Sequence, residues 1–277
     1  MQKQNFPRAD ALARQAFPGL SRSQVEEAFE LGWVVGPQGQ RLSKGDKIPS
    51  VSAPLLEEHL LRVQKGNPKL QVAIVLETPD FWIVDKPAGM PGHPVHLKDD
   101  ATLTHWALAQ RPELSREFPE PQPTLTPHRL DTGTSGLQVV AKTRAAYETW
   151  RELFAGKEVE KTYEAWCWGE PEENSWIVDE PIGKAKTDKT RWRVGGIEPR
   201  PAYSEVDVAE RGGGKFLARV HCHTGVTHQV RIHLAHSGFP LLGDALYDPH
   251  YATRSEKPEW HQLRAVGLRW PGGGVSL

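Results

Sequence analysis

The sequence predicts an α+β fold: a mixed, mainly antiparallel sheet carrying a few helices, with a small helix–helix–strand unit ahead of it. Two observations point there. Short runs rich in β-branched residues outnumber the helical stretches. Hairpin-length turns join most of these runs. A chain of 277 residues suits one large domain, or a core with an appendage. We divide it into a small N-terminal domain with its connector at 1–65 and a larger domain at 66–277.

The elements follow in chain order. Leu12, Ala13, Ala16 and Phe17 lie at helical spacing. Ser21 and Gln24 form a capping box ahead of a second helix, with Leu20 and Val25 at the staple positions. Val25, Ala28 and Phe29 make its apolar face, and Gly32 ends it. Trp33 to Val35 reads as a short strand before a Gly-Pro-Gln-Gly turn, and 52–70 as a connector with helical character. Strands are expected at 70–76 and 81–84, then a Pro/Gly loop at 85–94. Leu103, Trp106, Ala107 and Leu108 mark a helix, after which five prolines between 112 and 127 bar any regular helix. A strand at 137–141 precedes a helix at 144–155, and a long strand at 159–168 puts Lys161, Tyr163, Ala165 and Cys167 on one face. Residues 203–209 and 216–223 flank a glycine turn as a hairpin. Thr224 is expected to cap a helix over 226–236, which Gly238 ends.

Composition excludes several classes. With 38% hydrophobic and 25% charged residues the chain can bury a core and is not disordered. A formal net charge of −1 excludes a chain that is basic throughout, but not a local basic patch that binds phosphate. Two cysteines, Cys167 and Cys222, support neither a disulfide framework nor a four-thiolate zinc site. The N-terminus lacks the apolar stretch of a signal peptide, and the aliphatic run 72–76 falls far short of the roughly 20 residues that span a bilayer. No membrane association is expected, and the cytoplasm is the expected compartment.

Three segments can carry chemistry. HRLDTGTSGL (128–137) presents Asp131 on a tight turn. The carboxylate either caps its own turn or serves as a nucleophile or general base. Ser135 does not fit a G-x-S-x-G elbow, which argues against a serine hydrolase. HCHTGVTHQVRIHLAH (221–236) carries His221, His223, His228 and His233. A metal-dependent hydrolase must be weighed, but His228 and His233 are poorly spaced for one helical face and no acidic or thiol ligand completes a set. Arg231 lies in an apolar helix stripe, where it either answers a carboxylate of the site or makes an ordinary structural salt bridge. KAKTDKTRWR (184–193) sets five cations around one Asp with Trp192 among them. Such a segment is either a phosphate-tracking, base-stacking surface or a solvated charged hairpin.

Four ordered motifs over about residues 70–270 resemble the RluA-like RNA pseudouridine synthases: VDKPAGMPGHP (84–94), HRLDTGTSGLQVVAKT (128–143), KTYEAW (161–166) and TGVTHQVRIHLAHSGFPLLGDALYD (224–248). The resemblance implies the pseudouridine synthase fold, with a central active-site cleft along the sheet. It implies an isomerase that turns uridine in structured RNA, ribosomal or transfer, into pseudouridine, with no cofactor and no metal. On the matching positions, Asp131 would be the nucleophile, Tyr163 would stack on the uracil and Arg231 would pair with Asp131. Arg129 would fill the gap left by a flipped base. Lys161 either meets RNA phosphate or lies on a plain charged edge; with His228, and with Lys184, Lys186, Arg191 and Trp192 read from the basic segment itself, it completes the RNA-facing set. Residues 1–50 resemble a small RNA-binding domain first seen in a ribosomal protein, although Glu26, Glu27 and Glu30 crowd its second helix. The chain departs from the family at Val226, usually Arg, and at Arg264, often His. A noncatalytic RNA-binding factor on the same scaffold is the rival reading, and it has no use for Asp131, Tyr163 and Arg231 together.

Overall fold

The structure, a computed structural model, describes residues 6–120, 123–186, 188 and 191–277. Its contacts form two compact units. The first takes the chain up to Gln71 and adds 91–126 and 142–144. The second takes 72–90, 127–141 and 145–277. The division is therefore not a single cut near residue 65, because an internal segment of the larger part folds with the N-terminus.

In the first unit, helices α1 (Ala9–Ala16), α2 (Arg22–Glu30) and α3 (Pro54–Val63) bury Ala13, Val25, Ala28, Phe29, Leu56 and Leu60 together with Leu97. The capping box forms as expected: Ser21 N–H donates to Gln24 Oε1 at 2.8 Å, and Gln24 N–H to Ser21 Oγ at 3.3 Å. Glu27 accepts the Leu97 N–H at 2.9 Å, so one of the three crowded carboxylates works inside the unit instead of facing a ligand. The expected strand at Trp33 to Val35 shrinks to isolated bridges from Val35 to Arg41 and Ser52. Helix α4 (Leu103–Gln110) follows, and a single turn, α5 (Leu114–Glu117), fits among the prolines.

The second unit is built on a nine-stranded sheet. Its strands are β1 (Ala73–Glu77), β2 (Phe81–Lys86), β3 (Ser135–Ala141), β4 (Glu160–Trp168), β5 (Ser175–Asp179), β9 (Tyr203–Gly212), β10 (Lys215–Cys222), β11 (Leu263–Trp270) and β12 (Gly273–Ser276). The order is β1-β2-β3-β11-β4-β10-β9-β5, with β12 on β11. Every pair is antiparallel except β3–β11, which makes the sheet mixed. That parallel contact is close. Gly136 has φ +106°, and a Cβ there would sit 2.1 Å from the Ala265 carbonyl oxygen, so only glycine passes. Between β9 and β10, Gly213 and Gly214 both take positive φ, the geometry of a tight two-residue hairpin turn. A second, three-stranded sheet holds β6 (Ile182–Lys184), β7 (Trp192–Val194) and β8 (Ile197–Arg200), and the KAKTDKTRWR segment is its β6–β7 hairpin.

Helix α6 (Arg144–Ala155) buries Trp150 against Ile83, Leu137, Val139 and Leu268. Helix α7 (Gln229–His236) sets Val230 and Leu234 on Ala165, Cys167, Phe216 and Val220. The other side of the sheet carries a row of alternating charge. Arg264 donates to Asp85 at 2.7 Å and Arg219 to Glu164 at 2.8 Å, while Glu164 is registered between the two arginines. Arg264 is thereby accounted for: it serves this row and does not replace the arginine lost at Val226. Val226 instead packs on the cluster of Ile182, Ala202 and Ile232.

Helix α7 corrects the expected start at 226 with a Thr224 cap. The Gln229 side chain accepts from Thr224 Oγ1 at 2.9 Å and from the Val226 N–H at 3.1 Å, and donates to the Tyr203 carbonyl at 2.9 Å. Residues 224–228 wind around that amide, and the helix begins only after His228.

Candidate active site

The chain that leads into Asp131 is fixed from several sides. His128 is half-buried, stacks on Phe154 with 4.3 Å between ring centres, and accepts the Val139 N–H at 3.0 Å. Burial, with nearby Lys161 acting the same way, pushes its pKa down to about 3, so it is neutral. Asp131 and Thr134 close a turn, with the Thr134 N–H on the Asp131 carbonyl at 3.0 Å. The Gly89 N–H and Lys86 Nζ both reach the Thr132 carbonyl, at 2.8 and 3.3 Å. Lys86 has no exposed surface, and its ammonium also bonds the carbonyls of Pro87 and Met90 at 2.9 and 2.8 Å. Burial lowers its pKa to about 8, opposed by the Asp131 charge. The far side of the turn is tied by Thr134 Oγ1 to His261 Nε2 at 2.8 Å.

Arg231 joins two carboxylates. Its Nη1 donates to Asp131 Oδ2 at 2.9 Å, while Nε and Nη2 grip Asp244 in a bidentate pair, both at 2.8 Å. The side chains of Arg231, Asp131 and Asp244 are 8%, 16% and 0% exposed, so the carboxylate nearest solvent is Asp131. Burial works to raise the Asp244 pKa, but the hydrogen bonds and charge of Arg231 outweigh it and hold the group ionised. Arg231 also sits over the Tyr247 ring, 5.1 Å from its centre.

A cavity of about 310 Å³ opens over Lys161 and Tyr163, bordered by Phe154 at the end of α6 and by 224–231 leading into α7. That size is at the small end for ligand pockets, roughly 300–1,000 Å³, and suits one nucleotide rather than a duplex. Asp131 and Arg129 line it. Tyr163 is held as the neutral phenol, because burial raises its pKa strongly. The sequence reading therefore finds Asp131, Tyr163 and Arg231 gathered in one place, with exposed Arg129 beside them.

The other predicted residues are spread more widely. Lys161 is buried, and its ammonium bonds the Thr224 carbonyl under the cavity, so it does not present its charge at an outer edge. His228 is at the cavity wall, with Nε2 3.7 Å from Asp131 Oδ1. Lys184, Lys186 and Arg191 are exposed on the β6–β7 hairpin, whereas Trp192 is half-buried against the Ile182 cluster, with Lys184 Nζ 5.9 Å from its ring centre. Lys189, another cation of the segment, lies outside the described residues. His233 is buried between Ser204 Oγ and the Glu180 carbonyl. His221 lies near Glu160 and Asp207. Among the described residues no group of three His, Cys, Asp or Glu side chains is arranged to hold a metal ion, and no helix is long and apolar enough to cross a membrane. Asp244, Lys86, Tyr247 and His261 went unassigned in the sequence reading, although the first three lie inside its quoted motifs.

Comparison with known proteins places this sheet, with its carboxylate–arginine pair beside a half-buried tyrosine, among the RNA-modifying isomerases. Residues 80–236, more than half of the chain, match the family described as RNA pseudouridylate synthase. An uncharacterized RNA pseudouridine synthase of Chloroflexus aurantiacus is 32% identical over 98% of this chain and 84% of its own length. The ribosomal large subunit pseudouridine synthase D of Yersinia pestis is 31% identical over 87% of this chain and 72% of its own. The solved structure of human RNA pseudouridylate synthase domain containing 1 superposes with a TM-score of 0.62 at 26% identity, covering 75% of this chain and 82% of that one. The chain belongs to the RluA-like family of RNA pseudouridine synthases.

Proposed function

We propose that this protein isomerises particular uridines of structured RNA to pseudouridine, in ribosomal rather than transfer RNA, with Asp131 as nucleophile. The observation that carries the reading is the Asp131 carboxylate, held at one oxygen by Arg231 and open to the cavity over Tyr163. In the reaction the C1′–N1 bond breaks and a C1′–C5 bond forms. C5 loses a proton and N1 gains one, so nothing is oxidised and no cofactor is consumed. A carboxylate suits both proposed routes, attack on the anomeric carbon or on the ring, because it can add and leave again. Its action on the sugar to drive loss of the base is a third route that the same placement serves.

The cavity takes one nucleotide, so a stacked or paired uridine has to be flipped out, at a cost on the order of a few kcal/mol. Exposed Arg129 is suited to fill the gap, Tyr163 to stack on the uracil, and Arg231 to hold the Asp131 carboxylate in place as water leaves. His228 and Lys161 border the nucleotide from the wall and the floor. The ribosomal preference is supported by relatives such as the Yersinia pestis protein named for the large ribosomal subunit. Mapping pseudouridine in total RNA from cells with and without the protein tests the reading. A site lost from ribosomal RNA is expected, and a loss confined to transfer RNA would overturn the preference.

RNA affinity is assigned mainly to the basic hairpin. Each phosphate contact removed flattens the slope of log affinity against log salt by about 0.9 on duplex-like RNA, and by less on single strands. Replacing Lys184, Lys186 and Arg191 with Ala is expected to flatten it by up to about two to three units. Deleting residues 1–50 is not a clean comparison, because Leu97 shares the core of that unit. The matching control replaces exposed Arg14 and Arg22 and half-buried Lys44 with Ala and is expected to change the slope little. The reverse pattern would return RNA binding to the N-terminal unit.

A further inference from the structure

His228 stands in a backbone conformation that side chains with a Cβ rarely adopt, φ +58° and ψ 20°, one residue before α7 begins. Such a residue persists only where its surroundings hold it, and these sites cluster where geometry matters for function. Here the holding contact is on the ring: Nδ1 lies 2.7 Å from the Tyr247 hydroxyl. The Tyr247 oxygen is also approached by the Trp192 backbone amide, while burial pushes the phenol pKa up to about 12. When the phenol gives its hydrogen to the imidazole, an Nε2–H stands opposite the Asp131 carboxylate, where a bare ring nitrogen would set two acceptors against each other. Nδ1 of His228 then accepts, and Nε2 carries the ring proton. Burial lowers the His228 pKa against the pull of Asp131, so the ring is neutral. The charged and titratable groups around it are Asp131, Arg231, Asp244, Arg129, His261 and Tyr247.

The Nε2 atom faces Asp131 Oδ1 at 3.7 Å, and Arg231 bonds the other oxygen, Oδ2. A gap of 3.7 Å is too long for a hydrogen bond, yet a small rotation of either side chain closes it. The open oxygen of Asp131 thus has one polar N–H directed at it from the cavity wall. We propose that His228, fixed in its Nε2–H form by Tyr247, is a positioning residue that orients the open oxygen of Asp131 toward the target nucleotide. The proposal rests on Asp131 being the nucleophile, and it gives His228 a task beyond lining the RNA path.

The test separates turnover from binding. His228→Asn keeps a residue that tolerates left-handed backbone but is too short to reach Asp131. Turnover on saturating RNA is expected to fall by about 10- to 100-fold, the scale of a misaimed reacting group, with RNA affinity unchanged within about twofold. His228→Gln, which restores an N–H at greater reach, should recover part of the loss. Tyr247→Phe should lower turnover in the same direction and add little in the double variant, since the two act as one unit. A melting temperature close to wild type for His228→Asn accompanies the expected result. Weakened RNA binding with full turnover at saturation would make His228 an RNA contact and overturn the proposal. Fully additive losses in the double variant would overturn the role of Tyr247. Asp131→Asn in the same assay keeps the two readings apart: an active Asn variant removes the nucleophile assignment, whereas an inactive one beside a fully active His228→Asn removes only the positioning role.

Discussion

Asp131→Asn is expected to abolish isomerisation, lowering single-turnover rates by about three orders of magnitude or more, the scale seen when a bond-forming group is neutralised. The substitution keeps the shape of the side chain and removes its charge. Arg231 retains its bidentate pair with Asp244, so the site keeps its framework. The turn behind residue 131 is held by backbone and by Lys86, Gly89 and His261, none of which needs the Asp131 carboxylate. RNA affinity is therefore expected to stay within a few-fold of wild type, because most contacts of such proteins go to phosphate and sugar. Release of the C5 hydrogen during a single turnover, measured beside a binding titration, reads both quantities. Wild-type turnover by the Asn variant would remove Asp131 from the chemistry. A collapse of binding with intact chemistry would make it a structural anchor.

How far the fold could be read from the sequence depends on how local each signal was. The α2 capping box is written in four consecutive residues and formed as expected. The strand carrying Lys161 and Tyr163 shows its period of two over its whole length, and the face assignment followed. Strand β11 went unread because its alternation, clear through Leu263, Arg264 and Ala265, breaks at the irregularity before Gly267. Strand β8 is exposed at every position and leaves no hydrophobic pattern. The start of α7 was misplaced because Gln229, not Thr224, organises the turn, through a contact to Tyr203 that is 26 residues away in the chain. The joining of 91–126 to the N-terminal unit depends on contacts such as Glu27 with Leu97, 70 residues apart.

The site divides along the same line. Asp131, Tyr163 and Arg231 were legible because each stands in a dense motif. Arg231 also announced a need for a carboxylate by its place in an apolar stripe. That it grips two carboxylates was not legible, since Asp244 looks in the sequence like one more loop Asp. Lys86 had a readable signal. It continues the face of Trp82 and Val84 at the end of β2, where a lysine must bury its ammonium on backbone carbonyls. The face of Lys161 was legible from the period of two, but its burial against the Thr224 carbonyl was not, since that partner lies 63 residues away in the chain.

Arg231→Leu is expected to be the most destabilising substitution at the site. Leu fills much of the space but leaves Asp244, with a fully buried side chain, and Asp131, mostly buried, without their shared cation. Removing one partner of such a pair costs about 3–5 kcal/mol, against less than about 1 kcal/mol for an exposed pair. For a unit of this size that corresponds to a fall in melting temperature on the order of 10 °C. The loss carries a pH signature. In the wild type the folded pKa of Asp244 lies below its ordinary value, because Arg231 outweighs burial. Its contribution is therefore present above about pH 4 and is lost as pH falls through the folded pKa. In the variant only burial remains of the large effects, and it acts to raise that pKa above the unfolded value. The variant then loses stability as pH rises past about 4, since folding must keep a buried carboxylate that water would ionise. The gap between the two proteins should be widest near neutrality and narrow toward pH 4. Denaturant midpoints measured across that range read it directly. A small gap that does not change with pH would mean the arginine contributes packing alone and is not the cation on which the buried Asp244 carboxylate depends.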